Sequence, residues 1–143
     1  MRRNIVIAKK AISADLCNTI IERTKKDFNT ATTFEGNKPD IRKSEVSWLL
    51  GSVKHYDIYQ PIINLIKKIN DEVYKFELLD PEPFQITQYH EKNQGFYKPH
   101  IDAIYDHVPH GHGVRKLSLS IQLTPPNYYE GGTFEFPDDK EKF

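Results

Sequence analysis

The spacing of apolar residues changes once along this chain, near residue 80, and that change limits the fold more than any other feature. Before residue 80, two stretches repeat apolar residues every three or four positions, which is the period of an amphipathic helix. After residue 80 the repeat falls on every second position, which is the period of a strand with one buried face. The sequence therefore predicts an α+β fold in which helices precede a sheet.

Two amphipathic helices are predicted in the first part. The first begins after Ser13, a favourable N-cap residue, and its apolar face consists of Leu16, Cys17, Ile20, Ile21, Thr24 and Phe28. The second runs from about residue 57 to 76, and Pro61 is tolerated because it falls in the first turn. Its apolar stripe consists of Ile58, Ile62, Leu65, Ile66, Ile69, Val73 and Phe76.

Two later segments, residues 84 to 90 and 115 to 124, alternate between apolar and polar side chains and are predicted to be strands. One face of the second carries Leu117, Leu119, Ile121 and Leu123, and the other carries Ser118, Ser120 and Gln122. The simplest arrangement has helices on the apolar face and water on the polar face. Because the polar groups are short and neutral, the sequence favours instead a sheet curled around a polar cavity.

Shorter strands are predicted at residues 4 to 8, 44 to 50 and 131 to 136. Trp48 is expected to anchor the strand at 44 to 50. Residues 30 to 40 are rich in Thr, Gly, Asn and Pro without periodicity, which predicts a loop.

The charge balance limits the partners of this chain. Twenty basic and twenty acidic residues give no net charge, so the positive field that attracts nucleic acid or an anionic membrane is missing. Nowhere do eighteen apolar residues run together. We expect a small or neutral partner, and neither nucleic acid nor membrane. The single cysteine, Cys17, cannot form an internal disulfide and fits a buried thiol in the reducing cytoplasm.

His100 and Asp102 form a His-x-Asp triplet at the end of a predicted strand. Two residues apart, they point to the same face, as two ligands of one metal ion would. An imidazole nitrogen and a carboxylate oxygen are two of the three ligands in the facial triad that holds non-haem Fe(II). The triplet alone also fits a surface pair joined by a hydrogen bond.

The order of motifs around this triplet resembles the prolyl-4-hydroxylase-like branch of the Fe(II)- and 2-oxoglutarate-dependent dioxygenases. Residues 88 to 102, 115 to 124 and 128 to 136 carry the resemblance, and residues 41 to 49 resemble the family's Arg-to-Trp strand. The positions that match the family's pattern are Tyr89, Gly95, Tyr97, His100, Asp102, Arg115, Gly131 and Gly132. The resemblance covers most of the chain.

The resemblance implies a double-stranded β-helix, a jelly-roll fold, whose major sheet rests on two helices. Within one oxygenase domain over residues 1–143, residues 1–80 would supply the helices and supporting strands, and residues 81–143 the first part of the β-helix. The implied cofactors are Fe(II) and 2-oxoglutarate, with ascorbate as reductant. The implied reaction is hydroxylation of an unactivated C–H bond, in a prolyl or another residue of a peptide or protein.

Roles for individual residues also follow from the resemblance. His100 and Asp102 would be iron ligands. Tyr89 would place a hydroxyl near 2-oxoglutarate, and Tyr97 would border the same pocket; the alternative is that both are ordinary strand tyrosines at a sheet edge. Gln122 stands where some members have a tyrosine that contacts the far carboxylate of the cosubstrate, so its amide would substitute as a donor.

Six further residues keep alternatives open. Arg42 and Trp48 would shape the substrate side, although Trp48 is equally consistent with a core residue. Arg115 is predicted to start its strand or to pair with an acidic residue. A Pro- and Gly-broken segment, which we expect to be a solvated loop, carries His107, His110 and His112. Together with the His-x-Asp triplet these histidines would form a different site, for Zn²⁺ or Ni²⁺ without 2-oxoglutarate.

The chain departs from the family's pattern at its C-terminal side. The family's second metal histidine and the Arg or Lys that binds 2-oxoglutarate follow the Gly-Gly turn, but here no histidine follows His112. The chain would be a shortened form of a complete enzyme, a gene fragment or a degenerate member. We expect the first, because a strand at 131 to 136 needs further pairing. The alternative function is a non-catalytic ligand- or protein-binding module on a degenerate or truncated oxygenase fold.

Overall fold

Helices and short antiparallel strands make up the regular structure. A computed structural model describes residues 5 to 33, 35 to 102, 114 to 136 and 141 to 142. The helices are α1 (Ala14–Thr24) and α2 (Tyr56–Ile69). The strands are β1 (Asn29–Thr30), β2 (Arg42–Lys43), β3 (Glu45–Leu49), β4 (Phe84–Gln88), β5 (Phe96–Tyr97), β6 (Glu135–Phe136) and β7 (Glu141–Lys142).

Helix α1 begins where the sequence predicts it. The Ser13 hydroxyl accepts a hydrogen bond from the Leu16 backbone N–H at 3.2 Å, as an N-cap does. Ile20 and Thr24 are buried on its apolar face. The helix ends at Thr24, four residues earlier than predicted, and the Thr24 hydroxyl donates to the Ile20 carbonyl. This local bond is typical of a threonine near a helix end.

Helix α2 carries most of the core. Ile58, Tyr59 and Ile62 are buried on it, and a single π-helical turn at Asn70–Tyr74 prolongs it. The predicted stripe is therefore confirmed over most of its length. It fails at Val73 and Phe76, which are exposed. Val73 lies in the π-helical turn, which changes the angle between successive residues, and Phe76 lies beyond the helix, after Lys75 in a left-handed conformation.

One three-stranded antiparallel sheet, in the order β1-β3-β4, packs on the helices. Strand β3 pairs with β4 so that Leu49 lies opposite Phe84, and Trp48 lies opposite Gln85. Alternation places these two pairs on opposite faces of the sheet. The core therefore forms on one face, from Ile20, Leu49, Ile58, Tyr59 and Ile62, with Phe84, Ile86, Ile121 and Leu123 packed against it. A helix-backed sheet with an α+β composition is confirmed.

The described strands do not form a closed barrel. They form the β1-β3-β4 sheet and two separate two-stranded sheets, β2-β5 and β6-β7. The predicted strand at residues 4 to 8 was wrong for residues 5 to 8, and the one at 131 to 136 shrinks to β6. Among the described residues, the run at 5 to 8 has no strand beside it, and β6 pairs with only the two residues of β7.

The predicted strand at residues 115 to 124 was also wrong. No backbone hydrogen bond joins this segment to another described segment, so it has no ladder. Its alternation holds in part: Leu117, Ile121 and Leu123 are partly buried and the serines and Gln122 are exposed, but Leu119 is exposed as well. Apolar burial fixes which side chains face the core, whereas strand pairing needs a partner.

Within the described residues, no helix has both the length and the apolar character needed to cross a bilayer.

Tyr59 offers a test of how α2 is attached to the sheet. Its hydroxyl donates to the Leu49 carbonyl at 2.6 Å and accepts from the Phe84 N–H at 3.3 Å, and its ring stacks on Phe84. Removing the hydroxyl leaves two partly or fully buried backbone groups unpaired, so Tyr59→Phe should lower the free energy of unfolding by about 1–3 kcal/mol.

Urea unfolding measures this change. Tyr56→Phe is the matched control, since Tyr56 lies on the same helix and is exposed, and it should stay within about 0.5 kcal/mol of the wild type. Equal stability of the two variants would contradict the bridging role of Tyr59.

Candidate functional site

A tight turn between β4 and β5 leads the chain toward the His-x-Asp triplet. Gln94 adopts a left-handed conformation, with φ of 51°, and the Gly95 N–H donates to the His90 carbonyl at 3.0 Å. A Cβ atom on Gly95 would lie 3.1 Å from three backbone atoms, those of His90, Tyr89 and Lys43. Glycine at this position therefore permits the close approach of the turn to β2.

The β2-β5 pairing then fixes the residues before the triplet. Arg42 lies opposite Tyr97, and the Lys98 N–H donates to the Ile41 carbonyl at 2.9 Å. Strand β5 ends at Tyr97, so His100 and Asp102 lie beyond the strand rather than on it. The structure nevertheless brings their side chains together, as the sequence predicts.

The His100 and Asp102 side chains meet at 3.1 Å, measured from Nε2 to Oδ1. His100 Nδ1 lies 2.8 Å from the Lys98 carbonyl oxygen. Because a carbonyl only accepts hydrogen bonds, Nδ1 carries the hydrogen. An Nε2 lone pair and a carboxylate oxygen repel each other at this distance unless a proton or a metal ion lies between them.

This arrangement fits two ligands of one metal ion. Ligands about 2.1 Å from an ion and at a right angle to each other lie roughly 3.0 Å apart. Metal-binding histidines commonly donate the other ring N–H to a carbonyl, as His100 does. No cluster of three potential ligands occurs within the described ranges, and His107, His110 and His112 fall outside them.

Arg115 anchors the chain at Asp102. Its Nε donates to a carboxylate oxygen of Glu82 at 2.6 Å, and its Nη1 donates to the Asp102 backbone carbonyl at 3.1 Å. The bonded Glu82 carboxylate raises the pKa of Arg115. The prediction that Arg115 pairs with an acidic residue is confirmed, and its backbone bond helps hold Asp102 in place.

An aromatic stack supports His100 from the side of β5. The Tyr97 and His100 rings stack with their centroids 3.8 Å apart and an angle of 19° between planes. The Arg42 guanidinium lies over the Tyr97 ring, with Cζ 4.5 Å from the centroid. A cation on an aromatic face is a favourable contact. The stack connects strand β2 to the candidate metal ligands.

The sequence did not predict that Arg42 is buried. Its side chain is only 7% exposed, and it donates from Nε to the Ser44 hydroxyl at 2.8 Å and from Nη2 to the Gln85 side-chain oxygen at 2.9 Å. The available signal was the Arg-x-Ser spacing on a strand, which places both residues on one face. Hydropathy alone assigns an arginine to the surface.

The two other predicted aromatic residues lie nearer the surface. Tyr89 is 49% exposed and Trp48 is 51% exposed. Of the two alternatives for Trp48, the core residue is therefore wrong, and a place on the substrate side stays a prediction. Its place opposite Gln85 puts it on the polar face of the sheet, away from the helices.

Tyr89 shares an electrostatic environment with Arg42 and Tyr97. Partial burial raises the pKa of Tyr89, the nearby positive charge of Arg42 lowers it, and Tyr97 raises it further. The net pKa lies above the ordinary value, so the phenol remains a hydrogen-bond donor near neutral pH.

Gln122 is not joined to the other predicted site residues. Its amide nitrogen makes a long bond to the Thr124 carbonyl, at 3.5 Å. No hydrogen bond links it to Tyr89, Tyr97 or the His-x-Asp pair in the described part of the chain. A shallow depression of about 470 Å³ is lined by His90, Glu91, Lys92 and Asn93, so it lies at the β4-β5 turn rather than between the predicted site residues.

Comparisons with protein-family models, curated proteins and solved structures found no match to this chain.

Replacing Arg42 tests the proximity of its charge to Tyr89. Arg42→Gln removes a positive charge that lowers the pKa of Tyr89, so the pKa should rise further. A pH titration followed by NMR of ¹³Cζ-labelled tyrosine measures it. Arg23→Gln is the control, because Arg23 pairs with Asp57, and it should leave Tyr89 unchanged. An unchanged Tyr89 titration in Arg42→Gln would contradict the proximity of the Arg42 charge to Tyr89.

Proposed function

We propose that this protein is an Fe(II)- and 2-oxoglutarate-dependent dioxygenase that hydroxylates an unactivated C–H bond in a prolyl or another residue of a peptide or protein. The observation that carries the proposal is the His100 and Asp102 pair, at 3.1 Å, with Nδ1 committed to the Lys98 carbonyl. When bound, Fe(II), 2-oxoglutarate and O₂ would supply the oxidising chemistry, and ascorbate would serve as reductant.

His100 and Asp102 would hold the metal with complementary properties. The imidazole would supply a neutral nitrogen, already oriented by its bond to Lys98. The carboxylate would supply a hard oxygen and one negative charge to offset the charge of the cation. Arg115, through the Asp102 carbonyl, would keep the carboxylate in register with the imidazole.

Tyr89 and Tyr97 would shape the cosubstrate side. The raised pKa of Tyr89 keeps its hydroxyl protonated, so it would donate a hydrogen bond to a carboxylate of 2-oxoglutarate. Tyr97 would border the same space while keeping the His100 ring in place by stacking. Gln122 remains a proposed second donor, with an exposed amide.

The finer features of the fold and cellular setting belong to the same proposal. The helix-backed β1-β3-β4 sheet would be part of the major sheet of a double-stranded β-helix. The cytoplasm is the proposed location, consistent with the single thiol Cys17, whose pKa is raised by burial and which is therefore a poor nucleophile. The substrate would be a peptide, a protein or a small molecule.

Metal binding is the first test. Isothermal titration with Mn²⁺, a redox-stable stand-in for Fe(II), should show saturable binding to the wild type and at least about 10-fold weaker binding to His100→Ala and to Asp102→Ala. His90→Ala is the matched control, since His90 forms a similar pair with Glu45 at 2.8 Å. Its affinity should match that of the wild type.

Catalysis is the second readout. Release of CO₂ from 2-oxoglutarate should require Fe(II) and should be lost in both ligand variants. Equal Mn²⁺ affinity in the wild type, His100→Ala and Asp102→Ala would refute the metal site. Metal binding without decarboxylation across candidate peptides would refute the enzyme and favour a binding module.

A further inference from the structure

Arg42 is a buried cation without an acidic partner. Its side chain is 7% exposed, and no carboxylate in the described ranges lies within 4.0 Å of its guanidinium. Arg23 and Arg115, in contrast, are paired with Asp57 and Glu82. Removing a charge from water without pairing it is costly, so such a group indicates that an anion completes its environment.

The immediate neighbours of Arg42 are neutral. Ser44 and Gln85 accept hydrogen bonds from Nε and Nη2, and the Tyr97 ring lies beneath the guanidinium. These contacts orient the planar group and satisfy two of its nitrogens. They do not neutralise its charge, because none of the three side chains is ionised near neutral pH.

The remaining nitrogen, Nη1, is available to a ligand. Among the described residues it donates to no acceptor. The buried side-chain polar atom that lacks a partner in this part of the chain is His55 Nδ1. Nη1 also lacks a partner, but it is not among the fully buried atoms. Most of Arg42 is therefore buried while Nη1 keeps some contact with solvent.

The surroundings of Arg42 also favour an anion. Arg42 lies opposite Tyr97 in the β2-β5 ladder, and Tyr97 stacks on His100. Arg42 is therefore one aromatic ring away from the candidate metal ligands. Tyr89, whose phenol feels the Arg42 charge, supplies a second donor nearby.

We propose that Arg42 Nη1 is the binding site for a carboxylate group of a ligand of this protein. Nη1 can donate a charge-assisted hydrogen bond to one oxygen of a carboxylate, which comes from the 2-oxo acid cosubstrate or from an acidic substrate. The identity of the ligand rests on the proposed function. Binding at Arg42 itself needs no metal, so it is tested separately from the metal site.

Metal-free protein and glutarate provide the first test. Glutarate has two carboxylates but no 2-oxo group, so Arg42 and not metal chelation should govern its binding. Titration calorimetry should show saturable binding that weakens at least 10-fold in Arg42→Gln and is partly restored in Arg42→Lys. Arg23→Gln should bind like the wild type.

A wild-type measurement covers the case in which Arg42→Gln fails to fold. In protein carrying ¹⁵N-labelled arginine, saturating glutarate should shift the Arg42 guanidinium resonance and leave that of Arg23 in place. An unshifted Arg42 resonance, or equal glutarate affinity in folded Arg42→Gln, would overturn the proposal whatever the metal titrations show.

Two 2-oxo acids identify the source of the carboxylate. 2-Oxopentanoate lacks the far carboxylate of 2-oxoglutarate. If Arg42 binds the cosubstrate, 2-oxoglutarate should bind more tightly than 2-oxopentanoate with Mn²⁺ present, and Arg42→Gln should abolish that preference. If Arg42 binds an acidic substrate instead, Arg42→Gln should leave the preference for 2-oxoglutarate over 2-oxopentanoate unchanged and should weaken only the binding of glutarate. Either result supports a carboxylate site at Arg42.

Discussion

The cation–π contact between Arg42 and Tyr97 is the interaction on which the rest of the candidate site depends. It joins strand β2 to strand β5 at the point where the chain leaves the sheet. Tyr97 in turn supports the His100 ring, whose Nδ1 is held by the Lys98 carbonyl. The contact thereby helps position the two candidate metal ligands, His100 and Asp102.

The fold separates structural and chemical roles by sheet face. Helix α2 covers the apolar face, where Tyr59 bridges Leu49 and Phe84. The opposite face holds Gln85, which accepts from Arg42. Because each strand alternates its side chains, the pairing that builds the core also orders the polar face. Stability and the proposed chemistry therefore depend on the same ladder.

Sequence periodicity predicts the features that depend on local burial. Ser13 as an N-cap follows from its hydroxyl. Most of α2 and the burial of Leu117, Ile121 and Leu123, though not that of Leu119, follow from which side chains avoid water. His100 and Asp102 meet as predicted, although the strand on which their spacing argument rested ends at Tyr97. Features set by distant partners did not follow: the strand at 115 to 124 lacks a described neighbour, and Arg42 is buried through contacts with Tyr97 and Gln85.

The ring nitrogens of His100 provide the most direct test of the account, by ¹H–¹⁵N NMR with and without Zn²⁺, a diamagnetic stand-in for Fe(II). We expect Nδ1 to keep its hydrogen, because the Lys98 carbonyl still accepts the hydrogen bond. We also expect Zn²⁺ to shift the resonance of Nε2, the nitrogen that faces Asp102. An unchanged His100 spectrum at a Zn²⁺ concentration that shifts another histidine would contradict the account.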